Sequence, residues 1–189
     1  MATKGEKTRE AIIDASYALF AKKGFKNVTM KDVCEITGMS RGGLYSHFSG
    51  TSQLFEALLE KITQKPALDF QAEIKKGTSA VLILDKALAV LEEEAKHPED
   101  SLSIAIYEYT ETVDSHMMEH LNRTGAKKWK KLIEYGIARG EFKNVNADEI
   151  VSVIMYSYQG VRMWSKVIPV KPDVIQSIIR NVKRQLKGE

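Results

Sequence analysis

The chain has 189 residues, 43% hydrophobic and 28% charged, a balance that excludes a disordered or fibrous protein. Its single cysteine, Cys34, excludes an internal disulfide and indicates a reducing compartment, where it fits a buried structural thiol better than a redox sensor. No segment approaches the roughly 18 uninterrupted apolar residues of a membrane span, and the charged start is unlike a secretion signal. We therefore expect a soluble cytoplasmic protein with no membrane contact.

The net charge of +3 is concentrated in one part of the sequence. Residues 1–50 contain eight basic and five acidic residues, whereas residues 51–189 contain 20 of each. Basic side chains bind polyanions by releasing condensed counterions, so this segment is a candidate for contact with nucleic acid. A merely soluble surface would explain so small an excess equally well.

The N-terminal third of the chain predicts four helices. Apolar residues recur at helical spacing, and runs with a period of two residues are absent. Thr29 followed by Asp32 is typical of a helix start, Gly38 suits a tight turn, and Ser40 can cap the next helix. Two short helices joined by such a turn form a helix-turn-helix. The predicted helices cover about 5–23, 30–37, 41–48 and 51–65.

The rest of the chain predicts a larger helical body. A weakly patterned stretch over 66–78 separates it from the N-terminal helices, and helices follow at about 80–96, 102–113, 115–139, 146–166 and 172–186. We therefore predict an all-α fold. It consists of a helix-turn-helix domain at residues 1–50, a connecting helix at 51–65 and a larger helical domain at 66–189.

The segment from Thr29 to Phe48, TMKDVCEITGMSRGGLYSHF, is the most specific motif in the sequence. Together with the upstream apolar stripe that ends in Gly24-Phe25, it resembles the DNA-binding signature of the TetR/AcrR-like (tetracycline-repressor) family of bacterial transcriptional regulators. The resemblance covers residues 8–60. It implies an N-terminal DNA-binding domain and a larger C-terminal helical domain for ligand binding and dimerisation.

The predicted DNA-contacting residues lie around the third helix. Leu44 and Phe48, four residues apart, would bury one face of this helix, and adjacent glycines would let DNA approach its backbone. The family resemblance implies phosphate contacts and groove contacts from this region. The family often has a small side chain at position 43, an aromatic one at 46 and a lysine at 51, unlike this chain. The predicted DNA-binding residues are Thr29, Ser40, Arg41, Gly42, Gly43, Tyr45, Ser46 and His47.

The resemblance also implies a small-molecule effector, bound by the larger domain. Methionine and aromatic residues adapt to varied apolar ligands, although ordinary core packing explains them just as well. Two carboxylates on the same predicted helix would favour a cationic ligand or would simply face water. The predicted effector-binding residues are Tyr107, Glu108, Glu111, Trp129, Tyr156 and Trp164.

The last two helices are predicted to form the interface of a homodimer. One face of the first helix contains Ile150, Val153, Ile154, Ser157 and Val161, and a stripe from Val174 to Leu186 recurs on the second. Packed against a second copy, these faces would make a four-helix interface, as the resemblance implies; burial within a single chain is the alternative. The two recognition helices would then lie about 34–36 Å apart on a palindromic operator in double-stranded DNA.

The favoured function is that of a ligand-responsive homodimeric repressor, released from its operator by a small molecule. A transcriptional activator is a near alternative. A different alternative is a metal-dependent helical hydrolase, because His116, Glu119 and His120 match the H-x-x-E-H pattern of some zinc hydrolases. Exposed surface histidines explain that short match better. We therefore expect no enzyme activity, no catalytic residues, no bound metal and no cofactor.

Overall fold

The computed structural model describes residues 3–64 and 66–188, and this part of the chain contains helices and no strands. The predicted all-α fold is therefore confirmed. In chain order the helices are α1 (Lys4–Lys23), α2 (Met30–Thr37), α3 (Arg41–Tyr45), α4 (Thr51–Gln64), α5 (Phe70–Lys75), α6 (Ala80–Lys96), α7 (Ser103–Thr112), α8 (Met117–Ala138), α9 (Ala147–Trp164) and α10 (Pro172–Lys187).

Two elements differ most from the sequence prediction, and the other helix bounds agree to within about two residues. Helix α3 ends at Tyr45, three residues earlier than predicted, and residues 70–75, expected to be irregular, form α5. The carboxylate of Asp69 caps α5 by accepting hydrogen bonds from the backbone N–H groups of Gln71 (2.9 Å) and Ala72 (3.1 Å). Aspartate is a preferred N-cap residue, so Asp69 is a local sequence signal for the start of this helix.

The chain divides into two compact units. The first runs to Pro66 and also includes Glu99–Met117, whereas the second consists of Ala67–Pro98 and the chain from Met118 onward. The break after Pro66 coincides with the predicted junction. Helix α7 does not follow the predicted division. The prediction assigns it to the larger domain, whereas in the structure it packs against α1 in the first unit.

An aromatic cluster explains the position of α7. The ring of Phe55, on α4, lies 4.8 Å from Phe20, 5.3 Å from Phe25 and 5.4 Å from Tyr109, measured between ring centroids. The hydroxyl of Tyr109 donates a 2.6 Å hydrogen bond to Glu56. Burial, together with this carboxylate, raises the pKa of Tyr109. Aromatic contacts of this kind stabilise a core beyond the area they bury, so α7 completes the core of the first unit.

The second unit has its own apolar core. Leu84, Leu132, Ile154 and Leu186 are almost fully buried there. Trp129, predicted to bind an effector, is 8% exposed and packs edge-to-face against Phe70, with 5.0 Å between the ring centroids.

The stripe predicted to form the dimer interface is mostly buried within the second unit itself. Ile150 and Ile154 on α9 and Val182 and Leu186 on α10 are no more than 3% exposed and belong to this core. The prediction is therefore wrong for these four residues. The physical reason is that α9 and α10 pack against each other and against α6 within the chain. These contacts bury most of the apolar stripes of both helices.

Glu141 in the second unit is held by several hydrogen-bond donors. Its carboxylate pairs with Arg139 and accepts hydrogen bonds from the Ser79 hydroxyl (2.7 Å) and the Val81 backbone N–H (3.2 Å). These partners lower the pKa of Glu141 from 4.5 to about 2, and Arg139 has the largest effect. The ionised carboxylate thus joins α6 to the end of α8.

The pKa of Glu141 predicts how acid affects stability. A carboxyl whose pKa is lower in the folded state stabilises the fold above pH 4.5, and this contribution disappears as the pH falls toward about 2. We expect Glu141→Gln to flatten the loss of unfolding free energy between these pH values, as measured by urea unfolding at each pH. Glu134→Gln, an exposed carboxylate on α8, is the matched control. Identical pH profiles for Glu141→Gln and the unmodified protein would contradict this prediction.

Candidate nucleic-acid interface

Helices α2 and α3 have the caps that the sequence predicts. The Thr29 hydroxyl accepts a hydrogen bond from the Asp32 backbone N–H (3.2 Å), and the Asp32 carboxylate accepts one from the Thr29 N–H (2.8 Å). Gly38 ends α2 in the left-handed region, with φ of +68°. The Ser40 hydroxyl then caps α3 by accepting from the Gly43 N–H at 3.2 Å. These local contacts fix the turn of the helix-turn-helix.

Helix α3 presents one face to the core and the other to solvent. Leu44 is fully buried, as is Phe48 three residues beyond the helix, whereas Arg41, Tyr45 and the following Ser46 are exposed. The Ser46 hydroxyl donates to the carbonyl oxygen of Gly43 at 2.7 Å. Buried anchors thus hold α3 in place while its polar side chains stay accessible, as a recognition helix requires.

Glycine at position 42 has no explanation within the fold. It lies in helical backbone, and apart from its chain neighbours and the backbone of its own helix no heavy atom stands within 4 Å of the place where a Cβ would be. A Cβ at Gly43 would meet the Ser40 hydroxyl oxygen at 3.3 Å. Glycine in a helix costs up to about 1 kcal/mol relative to alanine. The missing side chain at position 42 therefore leaves backbone open to an external partner.

Thr29 and His47 are less available than the exposed face of α3. The Thr29 hydroxyl donates to the Asp32 carboxylate at 2.7 Å, which commits its proton within the chain. The Lys23 ammonium and Thr29 hold the pKa of Asp32 well below its ordinary value, so the carboxylate is ionised beside this cap. A phosphate contact from Thr29 would require its hydroxyl to turn away from Asp32. His47 is half-buried.

The basic residues of the first 50 positions fall into two groups. Lys23 pairs with Asp32, Lys26 with Glu111 and Lys31 with Glu35, and the Arg9 guanidinium lies 4.7 Å from the centre of the Phe48 ring. The other four form no ion pair in the described part of the chain. Their charges remain available to an anionic partner, and they are Lys4, Lys7, Lys22 and Arg41.

Comparison with known proteins identifies this arrangement. The family model for bacterial regulatory proteins of the tetR family matches residues 12–58. The HTH-type transcriptional regulator YfiR of Bacillus subtilis is 30% identical over 147 residues, which span 74% of this chain and 70% of YfiR. The chain belongs to the TetR family of bacterial transcriptional regulators.

Solved structures of TetR-family regulators share the fold over almost the whole chain. The regulator from Chloroflexus aurantiacus matches with a TM-score of 0.77 and 22% identity, covering 97% of this chain and 98% of that one. The regulator from Agrobacterium tumefaciens gives a TM-score of 0.81 at 14% identity, covering 97% and 100%. The TetR-type fold, with an N-terminal helix-turn-helix and a larger helical C-terminal region, therefore applies to this protein.

Membership of the TetR family makes the protein a DNA-binding transcriptional regulator, and members of this family are typically ligand-responsive repressors. The hydrolase alternative has no support. His116 lies in the turn before α8 and not in the helix, so the H-x-x-E-H residues do not share one helical face. His116, Glu119 and His120 are all exposed.

The predicted effector-binding residues divide between the two units. Tyr107, Glu108 and Glu111 lie on α7 in the first unit, whereas the three others lie in the second. Glu108 accepts a hydrogen bond from the Lys26 backbone N–H at 2.9 Å, and Glu111 pairs with the Lys26 ammonium at 3.2 Å. Both carboxylates thus hold the turn between α1 and α2, a role that nothing in the local sequence indicates.

Tyr156 and Trp164 lie on the outer surface of α9 and not in a core. They are 69% and 60% exposed and line an open groove of about 610 Å³ together with residues of α10 and the preceding loop. No helix among residues 3–64 and 66–188 is long and apolar enough to cross a membrane.

Proposed function

We propose that this TetR-family regulator is a homodimeric repressor that places α3 in the major groove of a palindromic operator. The observation that carries the proposal is the outward face of α3, where exposed polar side chains and an open glycine backbone stand on a buried Leu44–Phe48 anchor. An α-helix of this kind fits the major groove of B-DNA, where each base pair shows a distinct pattern of donors and acceptors.

The contacts divide into those that recognise bases and those that position the protein. Arg41 has no partner in the described residues and is suited to a bidentate contact with guanine. Ser46 and the backbone at Gly42 would approach base edges from the same face. Tyr45 is 50% exposed and would hold a phosphate. The other predicted residues lie at the helix caps and at the end of the motif, where they would complete the phosphate contacts. These residues are Thr29, Ser40, Gly43 and His47.

An exposed apolar surface on α9 and α10 supports the homodimer. Trp164 at the end of α9 is 60% exposed, Val167 and Ile168 in the loop after it are 71% and 50% exposed, and Val174 on α10 is 42% exposed. Contiguous apolar surface of this kind usually marks an interaction site. A second copy meeting the same surface by twofold symmetry would bury it and pair two recognition helices on DNA. The proposed interface thus combines Val174, which is the exposed start of the predicted stripe on α10, with Trp164 and the loop after α9, while the buried parts of both stripes stay inside the chain.

Regulation follows from the family to which the chain belongs. An effector that binds the conformation with low DNA affinity more tightly would shift the protein off its operator. The effector and its binding residues stay a prediction, with Glu108 and Glu111 already engaged by Lys26. The protein would act in the cytoplasm, where the operator is, without catalysis and without a cofactor.

Replacing Arg41 tests the proposed base contact. We expect Arg41→Ala to weaken binding to the operator, selected from random DNA, by about 1–3 kcal/mol, because a bidentate guanine contact is lost. Binding to random DNA should change little. Fluorescence anisotropy on both duplexes, with Lys22→Ala as a control that removes another unpaired cation, provides the measurement. An equal loss on the operator and on random DNA would show that Arg41 contacts a phosphate instead.

A further inference from the structure

A groove on the first unit lies between the N-terminal half of α1 and the end of α2. Its volume is about 510 Å³, and its lining includes the apolar residues Ala11, Ile36 and Met39. Ser40, the cap of α3, directly follows Met39 in the chain, and the Met39 side chain lies 3.5 Å from the position of a Cβ on Gly43. The groove is therefore continuous with the surface proposed to contact DNA.

The charged residues that line this groove are all positive. Lys4 and Lys7 line it, and no aspartate or glutamate does. Both lysines are exposed and belong to the cations without an ion pair in the described part of the chain. By contrast, Lys23 and Lys26 are bound to carboxylates elsewhere on the same unit. The groove thus combines an apolar lining with two uncompensated charges.

This combination matches the chemistry of a sugar–phosphate backbone. Deoxyribose offers an apolar surface, and the phosphates that flank it carry the negative charges. Ile36 is 48% exposed and lines the same groove as the two lysines, so it would cover such a sugar. Lysine ammonium groups neutralise phosphates and release their counterions.

We infer that this groove binds the sugar–phosphate backbone of DNA that flanks the bases contacted by α3. Lys4 and Lys7 contact phosphates, and Ile36 and Met39 pack against the deoxyribose between them. The inference rests on the proposed function, because α3 must lie on DNA to bring a backbone to this groove. The contact adds affinity for every DNA sequence and extends the footprint of each half-site outward.

The salt dependence of DNA binding tests the inference. Each neutralised phosphate contributes about 0.9 to the slope of log affinity against log salt concentration, and a dimer carries two copies of each lysine. We expect the Lys4→Gln/Lys7→Gln variant to lower this slope by about 3–4, on the operator and on random DNA alike. The ratio of the DNA affinity of the unmodified protein to that of the variant should then fall by roughly a hundredfold between 50 and 200 mM salt.

A matched control separates a specific contact from a change in net charge. Lys127 and Lys131 are exposed, unpaired lysines on α8 in the second unit. The Lys127→Gln/Lys131→Gln variant removes the same charge and should leave the slope unchanged. Ethylation of DNA phosphates gives a second measurement. Modified phosphates outside the bases contacted by α3 should interfere with binding of the unmodified protein and not with binding of the Lys4/Lys7 variant.

The outcomes distinguish this inference from the proposed function. Failure of the unmodified protein to bind any selected DNA would overturn the proposed function. Normal operator binding with the same slope and the same ethylation pattern in the Lys4/Lys7 variant would overturn only the inference, and would assign the groove to another partner. An equal loss of slope in the α8 control would also overturn it, because net charge alone would then explain the effect.

Discussion

Replacing Phe55 by alanine is expected to reduce the free energy of unfolding by about 3–5 kcal/mol, which is a large share of the roughly 5–15 kcal/mol of a typical protein. The Phe55 ring is fully buried and lies within 5.4 Å of three other aromatic rings, measured between centroids. Its removal leaves a cavity that the surrounding rings of the first unit cannot fill. Urea unfolding followed by circular dichroism provides the measurement.

An exposed aromatic residue of the same unit is the control. Tyr45→Ala should change the unfolding free energy by less than about 0.5 kcal/mol, because Tyr45 is 50% exposed. It should nevertheless weaken DNA binding if Tyr45 holds a phosphate. Phe55→Leu should lie between the two, since leucine fills part of the ring volume. A loss below about 1 kcal/mol for Phe55→Ala would show that the aromatic cluster is not the main support of this unit.

Replacing Trp164 by glutamate is expected to convert the proposed dimer to monomers at micromolar concentration. Trp164 is 60% exposed in a groove shared with Ile168 and Val174, so a second copy would bury it. A charge buried there without a partner is strongly unfavourable. Sedimentation equilibrium measures the association. Affinity for the palindromic operator should fall by at least about a hundredfold, since linked binding of two half-sites is lost.

The specificity of this result depends on a similar substitution elsewhere on the second unit. Leu82 on α6 is 48% exposed, so Leu82→Glu adds the same charge to another exposed apolar position. This variant should remain dimeric and should bind the operator normally. A dimeric Trp164→Glu protein, or dissociation of the Leu82→Glu protein, would contradict the proposed interface.

The helix-turn-helix could be predicted from the sequence because its signals are local. Each signal concerns backbone groups within three or four residues, and each is found in the structure as predicted. Thr29 and Asp32 cap the start of α2, Gly38 ends it, and Ser40 caps α3. Helical spacing likewise predicts that Leu44 is buried and that Arg41 lies on another side of α3. Its early end at Tyr45 was missed, because Ser46 and His47 continue as turns that have no distinct sequence signal.

Long-range partners could not be predicted in the same way. Periodicity shows that Ile150 and Ile154 share a buried face, but a core and a subunit interface require the same pattern. The exposed apolar residues of α9 differ from that stripe only by a rotation around the helix. Similarly, Glu108 looked like a candidate for binding a cation, whereas its partner is the backbone N–H of Lys26, 82 residues away in the chain.

The division of the chain into units has a consequence for protein engineering. Residues 99–117 complete the core of the first unit, although the sequence on either side of them belongs to the second. A fragment that stops at residue 66 would leave Phe25 and Phe55 without Tyr109, and its newly exposed rings would favour aggregation. Grafting the DNA-binding head of this regulator onto a foreign sensor domain therefore requires cutting and rejoining the chain around α7 as well as after α4.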